Sequence, residues 1–294
     1  MGRRASAGGS VSASPPVPSQ MQRALAFQAL HQRPGCFVIP NPWDAGSAKA
    51  LAALGFEALA TTSAGLAFSL GRADGAGLIS REETLVNARA IVDATGLPVA
   101  ADLENGFGTS PQACAQTIQL AARAGLVGGS IEDASGRADL PIYPLELAVE
   151  RIQAAVAAAR ALPFPFTLCA RAENFLHGRP DLADTIRRLQ AYAEAGADVL
   201  YAPGLRSREE IAAVVRAVAP KPLNVVMGLG AASFTVSELA ELGVKRISLG
   251  SSLARAAFGA FLRAAEEVRT QGSFTFAEQA EPFARINALF TPQP

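Results

Sequence analysis

Residues 99–133 read VAADLENGFGTSPQACAQTIQLAARAGLVGGSIED and contain one complete strand–helix–strand unit. The apolar run Val99–Asp102 ends at an acidic residue, and Pro111–Ala124 has the amphipathic spacing of a helix. A second apolar run, Gly129–Glu132, also ends at an acidic residue. Since continuous apolar runs joined by a helix are typical of parallel strands that helices cover, this stretch predicts a βαβ unit.

The same unit recurs from about residue 35 toward the C-terminus. Eight apolar runs predict strands: Cys36–Ile39, Ala58–Thr61, Val99–Asp102, Gly129–Glu132, Phe166–Ala170, Val199–Tyr201, Leu223–Val226 and Arg246–Leu249. Helical patterns follow them: Gly46–Leu54, Arg81–Thr95, Pro111–Ala124, Pro144–Ala161, Leu182–Ala195, Ser207–Val218, Thr235–Leu242 and Ser252–Thr270. Eight such units predict an α/β fold, a closed (β/α)8 TIM-type barrel with parallel strands, in preference to an open doubly wound sheet.

A single barrel domain is predicted for residues 21–294. The length of 294 residues suits one barrel, and Ser273–Leu289 is predicted to add a helical arm after the eighth unit. Residues 1–20 are rich in Pro, Ser and Gly and lack the apolar segment of a secretory signal. We therefore expect them to form a disordered leader.

The composition argues against several classes of partner. Lys and Arg total 26, as do Asp and Glu, so no basic excess indicates binding to nucleic acid or to anionic lipid. No stretch has the roughly 18–20 uninterrupted apolar residues that a membrane span requires. The three cysteines form no Cys-x-x-Cys pair, which favours a reducing, cytoplasmic location over a disulfide framework.

Acidic residues stand where the barrel model places functional groups, at the carboxyl ends of strands. Asp102 and Glu104 are two residues apart, so on one strand they point to the same side. Glu132 ends the next strand, and Asp74 lies in the long loop after the second strand. Carboxylates converging on one mouth repel each other unless a cation lies between them, and Mg²⁺ prefers oxygen ligands. The pattern therefore predicts a divalent metal site; the alternative is that these acids are solvated or pair with nearby arginines.

Two polar residues are candidates for contact with a substrate. Arg171 ends the fifth strand, where a guanidinium suits a substrate carboxylate, although it could instead pair with Glu132 or Glu173. Asn224 lies inside the seventh strand and is either a substrate contact or a hydrogen-bonded interior residue. Residues 61–65, Thr-Thr-Ser-Ala-Gly, either expose backbone N–H groups to an anion or form a tight structural turn.

The two histidines predict no metal pair, because His31 and His177 are far apart in the sequence. His31 precedes the first strand and is expected at the surface. His177 follows Arg171 by six residues and could reach the barrel mouth, although exposure to solvent is the expectation.

Together these residues resemble the isocitrate lyase/phosphoenolpyruvate mutase superfamily from about Gly35 to Arg255. The segments that carry the resemblance are, in order, Asn41-Pro42-Trp43-Asp44-Ala45, Thr61-Thr62-Ser63-Ala64-Gly65, Gly71-Arg72-Ala73-Asp74, Ala101-Asp102-Leu103-Glu104-Asn105-Gly106-Phe107-Gly108, Ile131-Glu132-Asp133, Ala170-Arg171, Ala195-Gly196-Ala197-Asp198 and Leu242-Gly243-Val244. The order and spacing of these segments make the resemblance specific.

The resemblance implies an enzyme that uses Mg²⁺, or alternatively Mn²⁺, to make or break C–C or P–C bonds next to a 2-oxo acid through an enolate. It implies that Asp102 is the principal metal ligand and that the metal's other contacts, direct or through water, come from Asp74, Glu104 and Glu132. It also implies that the oxo-acid end of the substrate is bound by Thr62, Ser63 and Ala64. The candidate catalytic residues are accordingly Arg171, Glu132 and Thr62.

The resemblance also implies oligomers, because members of this superfamily commonly exchange the eighth helix between subunits. In this chain that helix is Ser252–Thr270. A homodimer or homotetramer is therefore expected, with a small carboxylic acid as the substrate and neither nucleic acid nor a membrane as a partner.

One segment departs from the superfamily pattern. The lyases carry a Lys-Lys-Cys-Gly-His stretch in a lid after the fourth strand, and the phosphonate mutases carry Lys and Asn there. Residues 133–141 of this chain read Asp-Ala-Ser-Gly-Arg-Ala-Asp-Leu-Pro, with none of these residues. The chain is therefore similar to short-lid, carboxyvinyl-carboxyphosphonate phosphorylmutase-like members, and Asp133, Ser135 and Arg137 are candidates for the missing lid chemistry by position alone.

Three functions remain open from the sequence. The leading prediction is a lyase that cleaves or forms a C–C bond next to a 2-oxo or 2-hydroxy carboxylic acid. The alternatives are a mutase or hydrolase acting on the C–P bond of a phosphonate or carboxyphosphonate, and a barrel that binds without catalysis.

Overall fold

The computed structural model describes residues 17–228, 230 and 234–291. Residues 1–16 of the predicted leader and the last three residues of the predicted domain therefore lie outside the described residues. Within them, eight parallel strands form a single sheet. The strands are β1 Phe37–Ile39, β2 Leu59–Ala60, β3 Val99–Asp102, β4 Gly128–Glu132, β5 Thr167–Arg171, β6 Val199–Tyr201, β7 Leu223–Val226 and β8 Arg246–Ser248.

The sheet curves into a nearly closed barrel, which confirms the predicted (β/α)8 class. The strand order is β1-β8-β7-β6-β5-β4-β3-β2, and the first and last strands of the chain pair with Phe37 opposite Arg246. Between β1 and β2 the Ala60 N–H donates to the Pro40 carbonyl at 3.1 Å. All strand ends therefore share one mouth, as a barrel requires.

Eleven α-helices lie in the described part of the chain. They are α1 Gln20–Gln32, α2 Ala45–Ala53, α3 Ser63–Ser69, α4 Arg81–Ala94, α5 Pro111–Arg123, α6 Leu145–Arg160, α7 Leu182–Glu194, α8 Arg208–Val218, α9 Val236–Glu241, α10 Ser252–Gln271 and α11 Phe283–Phe290. α1 and α3 have no counterpart among the predicted helices. The reason is that α1 precedes the repeating pattern, whereas α3 is only seven residues long and rich in small residues.

Sequence signals determine where helices such as α5 begin and which side they bury. The Ser110 hydroxyl accepts from the Ala113 N–H at 3.2 Å, and Pro111 stands at the first helical position, where its missing N–H costs nothing. Cys114 and Ile118, four residues apart, are fully buried on the face that packs toward α6. Burial of that face stabilises the barrel wall.

The floor of the barrel, opposite the mouth, is covered by α1. Phe27 of this helix is fully buried, and the His31 ring makes edge-to-face contacts with Phe27 and Phe37. His31 is therefore half-buried, and the expectation that it lies at the surface was wrong. Burial and the nearby Arg246 lower the pKa of His31 to about 3, so its ring is neutral at physiological pH.

The C-terminal arm leaves the barrel and covers little of it. Residues of Ser273–Leu289 were predicted to be helical, and the structure forms a 3₁₀ turn at Thr275–Gln279 and then α11, which packs against α2. In the 20-residue helix α10 only Ala254 is buried. None of the described helices is both long and apolar enough to cross a membrane.

Candidate active site

The register of the central strands brings the predicted site residues together at the mouth. Asp102 of β3 lies opposite Ser130 of β4, and Glu132 of β4 lies opposite Arg171 of β5. Arg171 is in turn opposite Tyr201, the last residue of β6. β5 therefore extends one residue beyond the predicted Phe166–Ala170, and Arg171 belongs to the strand itself.

Arg171 is at the centre of this group. Its Nη1 lies 3.0 Å from Asp102 Oδ1, and its Nη2 lies 3.0 Å from Glu132 Oε2 and 2.6 Å from Glu173 Oε1. The guanidinium also stacks over the Tyr201 ring at 5.1 Å. Arg171 thus forms the ion pairs with Glu132 and Glu173 that were the alternative interpretation, while its binding of a substrate carboxylate stays a prediction.

Burial governs the charge of these groups. Burial raises the pKa of Glu132 well above its usual value, although Arg171 opposes the rise, and the pKa of Glu173 is raised for the same reason. Burial alone would lower the pKa of Arg171, but Glu173, Glu132 and Asp102 hold it well above normal. The guanidinium is therefore a permanent positive charge, while its two glutamate partners hold protons more tightly than exposed glutamates do.

Glu104 faces the same cavity, but not for the reason predicted. β3 ends at Asp102, and Glu104 has a φ of +47°, so the period-two argument for Asp102 and Glu104 was wrong. A turn carries the Glu104 carboxylate to the mouth instead. Burial, then Asp102 and then Asp74 raise the pKa of Glu104 to about 7.

Asp74 joins these acids from the loop between α3 and α4. Burial and then Asp102 raise the pKa of Asp74, while a hydrogen bond from the Ser63 side chain opposes the rise. One open cavity of about 700 Å³, here called the outer cavity, is bordered by Asp74, Glu104 and Glu132. The structure thus brings together the four acids predicted from separate parts of the sequence.

The segment Thr62-Ser63-Ala64 is the beginning of α3, not a turn. The Thr62 hydroxyl caps the helix by accepting from the Gly65 N–H at 3.2 Å. The Ser63 N–H points to Asp102 Oδ2 at 3.4 Å. Helix N–H groups therefore adjoin the acids, and Thr62 lines an inner cavity that Asp102 and Arg171 also line.

Asn224 is a hydrogen-bonded interior residue. Its amide Nδ2 donates to Ser248 Oγ at 3.0 Å, and its Oδ1 accepts from Arg246 Nε at 2.8 Å. It also lines the inner cavity, whose volume is about 70 Å³. One amide hydrogen of Asn224 has no protein acceptor among the described residues, so contact with a small ligand is compatible with this geometry.

The short segment after β4 folds back on itself. A bridge joins Ala134 to Ile142, and Ser135 N–H donates to the Pro141 carbonyl at 2.9 Å. Arg137 pairs with Asp139 on the surface, away from the acids. Of the three residues considered for lid chemistry, only Ser135 lines the outer cavity, together with the exposed His177 from the loop after β5.

Asp133 is buried below this segment and is used for structure. Its carboxylate accepts from the Glu173 N–H at 2.8 Å, from Tyr192 Oη at 2.6 Å and from Arg188 Nη1 at 3.1 Å. Arg188 also donates to the Tyr143 carbonyl at 3.0 Å. This network ties the ends of β4 and β5 to α7, which holds Glu173 beside Arg171.

The donor set of the mouth suits a hydrated divalent cation. Five acids border the mouth: Asp74, Asp102, Glu104, Glu132 and Glu173. In the described part of the chain, Arg171 is the one cation that forms ion pairs with any of them. Across the described ranges, no three His, Cys, Asp or Glu side chains are arranged to hold a metal ion between them. Mg²⁺ keeps several waters and takes few protein carboxylates, so excess negative charge around Asp102 without a closed cage fits this ion.

Two site residues were not among the predicted set. Glu173 is buried and accepts from Nε and Nη2 of Arg171. Tyr201 contributes its ring to the inner cavity. The signal for Glu173 was its position two residues after a strand-end arginine. Tyr201 ends a predicted strand, and only the register with Arg171 gives it a role.

Residues 27–269 match the family model described as phosphoenolpyruvate phosphomutase. The chain belongs to this family. Its homologues are carbon–carbon lyases of the isocitrate lyase/phosphoenolpyruvate mutase superfamily, so the predicted superfamily and the predicted type of enzyme are confirmed.

Two relatives and one crystal structure illustrate how similar this chain is to known proteins over most of its length. The 2-methylisocitrate lyase of Escherichia coli K12 is 32% identical, over 83% of this chain and 82% of its own. The oxaloacetate decarboxylase of Bradyrhizobium diazoefficiens is 34% identical, over 70% of each chain. A crystal structure from Burkholderia cenocepacia J2315, given only the provisional description lyase/mutase, is 63% identical with a TM-score of 0.90, over 93% of this chain and 97% of that one.

Proposed function

We propose that this protein is a Mg²⁺-dependent lyase that cleaves or forms a C–C bond next to the carboxylate of a 2-oxo or 2-hydroxy acid, through an enolate. The observation that carries the proposal is the group of acids around Arg171, which pairs with three of them. The names of the E. coli and Bradyrhizobium relatives, a lyase and a decarboxylase, support the same class of reaction.

In this proposal the metal is held around Asp102. Asp102 would be the principal residue that holds the ion, Asp74, Glu104 and Glu132 would support it, and Mn²⁺ could replace Mg²⁺. The bound ion supplies positive charge where negative charge develops on the 2-oxo group. The Ser63 N–H lies 3.4 Å from Asp102 Oδ2 and orients the carboxylate through this oxygen, while Arg171 contacts the other oxygen, Oδ1.

The chain's own residues bind and orient the acid. Arg171 holds a substrate carboxylate, because its guanidinium is permanently charged and lies at the boundary of the inner and outer cavities. The first residues of α3, Thr62, Ser63 and Ala64, hold the oxo-acid end, and Asn224 offers its remaining amide hydrogen from the floor of the inner cavity. Tyr201 limits the rotation of the Arg171 guanidinium by stacking on it.

The segment after β4 favours C–C chemistry over C–P chemistry. It has neither the Lys and Asn associated with phosphonate mutases nor the Cys of the lyase lid. A decarboxylation or retro-aldol cleavage in which water protonates the product requires no residue from this segment. The mutase or hydrolase of a phosphonate is the second candidate, supported by the description of the matching family model.

A substrate panel tests the proposal. The full chain is incubated with Mg²⁺ and oxaloacetate, 2-methylisocitrate, 2,3-dimethylmalate or phosphonopyruvate, and products are followed by NMR. We expect C–C cleavage of at least one of the first three acids and its loss in Asp102→Ala. Turnover of phosphonopyruvate alone would support the second candidate, and Mg²⁺ binding without any turnover would support a non-catalytic barrel.

We also propose that the chain forms a homodimer or homotetramer through its C-terminal arm. Large apolar side chains of α10 and of the arm that follows it are exposed in the single chain: Phe258, Phe261, Leu262, Val268, Phe274, Phe276, Phe283, Ile286 and Phe290. An apolar surface of this extent on adjacent helices is unusual for a monomer and typical of an interface. A second copy of the same arm is the occupant that the exposed face of α10 favours, since equivalent faces can pack in a symmetric pair.

A further inference from the structure

The loop after β3 adopts an unusual backbone conformation. Glu104 and Phe107 have positive φ angles of 47° and 57°, and Gly106 between them has a φ of 79°. Left-handed conformations are unfavourable for residues that have a Cβ atom, and they persist only where the surroundings determine them. The Glu104 backbone is bonded on both sides, since its N–H donates to Asp102 Oδ1 at 3.2 Å and its carbonyl accepts from the Glu132 N–H at 3.0 Å. The following residues, 105–109, need support from outside the mouth if Glu104 is to keep this orientation.

Arg151 of α6 supplies contacts to residues 105–109 from outside the mouth. It is only 1% exposed, and its guanidinium donates to the backbone carbonyls of Gly108 at 2.6 Å and Thr109 at 2.5 Å. The same group donates to the Asn105 carbonyl, so three carbonyls of one loop converge on one side chain. A planar guanidinium with five N–H donors can satisfy three such acceptors at once.

No acid shares Arg151. Within the described residues it forms no ion pair, and its remaining contact is the Tyr143 ring, 4.3 Å from the guanidinium carbon. A buried cation that bonds only to carbonyls and a ring serves to hold the backbone that surrounds it. The Thr117 hydroxyl of α5 adds one bond, to the Gly106 carbonyl at 2.8 Å, but it reaches a single acceptor.

We infer that Arg151 is a positioning residue for the metal site: it fixes the loop of residues 104–109 so that Glu104 faces Asp102. The inference rests on the proposed function, because it takes the acids around Asp102 as the metal site. Arg151 itself contacts neither the cavity nor the acids. Its effect on the metal therefore passes through the backbone of Asn105, which adjoins Glu104.

Metal titration of the full chain tests this role. Mn²⁺ or Mg²⁺ is added to metal-free protein, and the Kd is obtained from the rise in Tm with metal concentration. For Arg151→Met we expect a Kd about 10–100-fold weaker than for the wild type, as is typical when support for a ligand is removed. Arg151→Lys keeps the charge and reaches fewer carbonyls, so we expect an intermediate Kd.

Ile152→Ala is the matched control. Ile152 is the next residue of α6, is 3% exposed in the core and has no side-chain hydrogen bond to the loop. It should lower the Tm as a cavity does and leave the Kd unchanged within about twofold. If the Kd weakens in proportion to the fall in Tm in every variant, including Ile152→Ala, then Arg151 has only a structural role and the inference is overturned.

The outcomes separate this inference from the proposed function. If the wild-type chain shows no metal-dependent rise in Tm, the proposed metal site is wrong, and the inference with it. If the wild type binds metal and Arg151→Met binds it equally well, the inference alone is wrong. Where Arg151→Met does not fold, Arg151→Lys decides, and an unchanged Kd in that variant overturns the inference.

Discussion

Arg171 Nη1 lies 3.0 Å from Asp102 Oδ1, so the central cation of the mouth touches the carboxylate proposed as the principal metal ligand. The contact joins β5 to β3 across the intervening strand β4. Under the proposed function, substrate binding by Arg171 and metal binding by Asp102 would be coupled, because the two side chains contact each other. The first prediction concerns the other two ion pairs of this cation, with Glu132 and Glu173.

Arg171→Met should destabilise the fold in a pH-dependent way. The substitution leaves Glu132 and Glu173 buried without their cation, which costs about 3–5 kcal/mol at neutral pH. The pKa values of Glu132 and Glu173 are already raised, so the folded state binds their protons more tightly than the unfolded state does. The stability that these protons contribute is present at low pH and is lost as pH rises. Urea unfolding at pH 5 and pH 8 should show the larger loss at pH 8, and an equal loss at both would contradict the ion-pair account.

The second prediction concerns Glu104, whose pKa is raised from 4.5 to about 7. The folded state binds this proton more tightly than the unfolded state does. The resulting stability is fully present below about pH 4.5 and is lost as pH rises through about 7. Glu104→Gln should therefore stabilise the metal-free protein at pH 8, by roughly 1–2 kcal/mol, and have little effect at pH 5.

Urea unfolding with a chelator present measures the Glu104 effect. Glu194→Gln is the control, because Glu194 is an exposed acid at the C-terminal end of α7, on the side of the barrel opposite the mouth. A stabilisation at pH 8 that appears equally in both variants would mean that the effect is general to the protein's charge and not a property of Glu104.

The third prediction concerns the buried network below the mouth. Arg188→Met leaves Asp133 buried without its cation and should cost about 3–5 kcal/mol. Tyr192→Phe removes one hydrogen bond to the same carboxylate and should cost about 1.5–3 kcal/mol. Arg187→Met, next in sequence but paired with Asp184 at the surface, should cost no more than about 1 kcal/mol. Denaturant unfolding compares the three variants, and similar losses for Arg187 and Arg188 would contradict the network.

The fourth prediction concerns assembly through the arm. Phe261→Glu places a charge on the face of α10, where Phe261 is 65% exposed in the single chain. If that face packs against a second copy, the variant should lose the oligomer, because burying an unpaired charge is unfavourable. Light scattering after size-exclusion chromatography measures the mass. Leu25→Glu, at an exposed apolar residue of α1 on the barrel floor, should leave the mass unchanged, and a wild-type chain that is a monomer would refute the proposed assembly.

Local sequence patterns, namely apolar runs and helix caps, predicted the fold correctly. Each strand lies in or overlaps a predicted run, and six of the eight are followed by a helix with a side-chain N-cap, such as α5, whose Ser110 and Pro111 mark its start. These signals are local, so they are present before any tertiary contact forms. α3 escaped prediction because its seven residues carry no amphipathic pattern, and its Thr62 cap was read as a turn.

Local patterns were enough to place Asp102, Glu132 and Arg171 at the mouth, since apolar runs set the strand ends and all parallel strands end at one side of a barrel. They did not determine how those residues meet. Glu104 reaches the mouth through a left-handed turn that Arg151 holds from a helix more than 40 residues away in sequence. Arg171 reaches three acids on different segments because the register sets Glu132 opposite it. Register, burial and buried cations depend on the packed chain as a whole, so only the tertiary structure decided them.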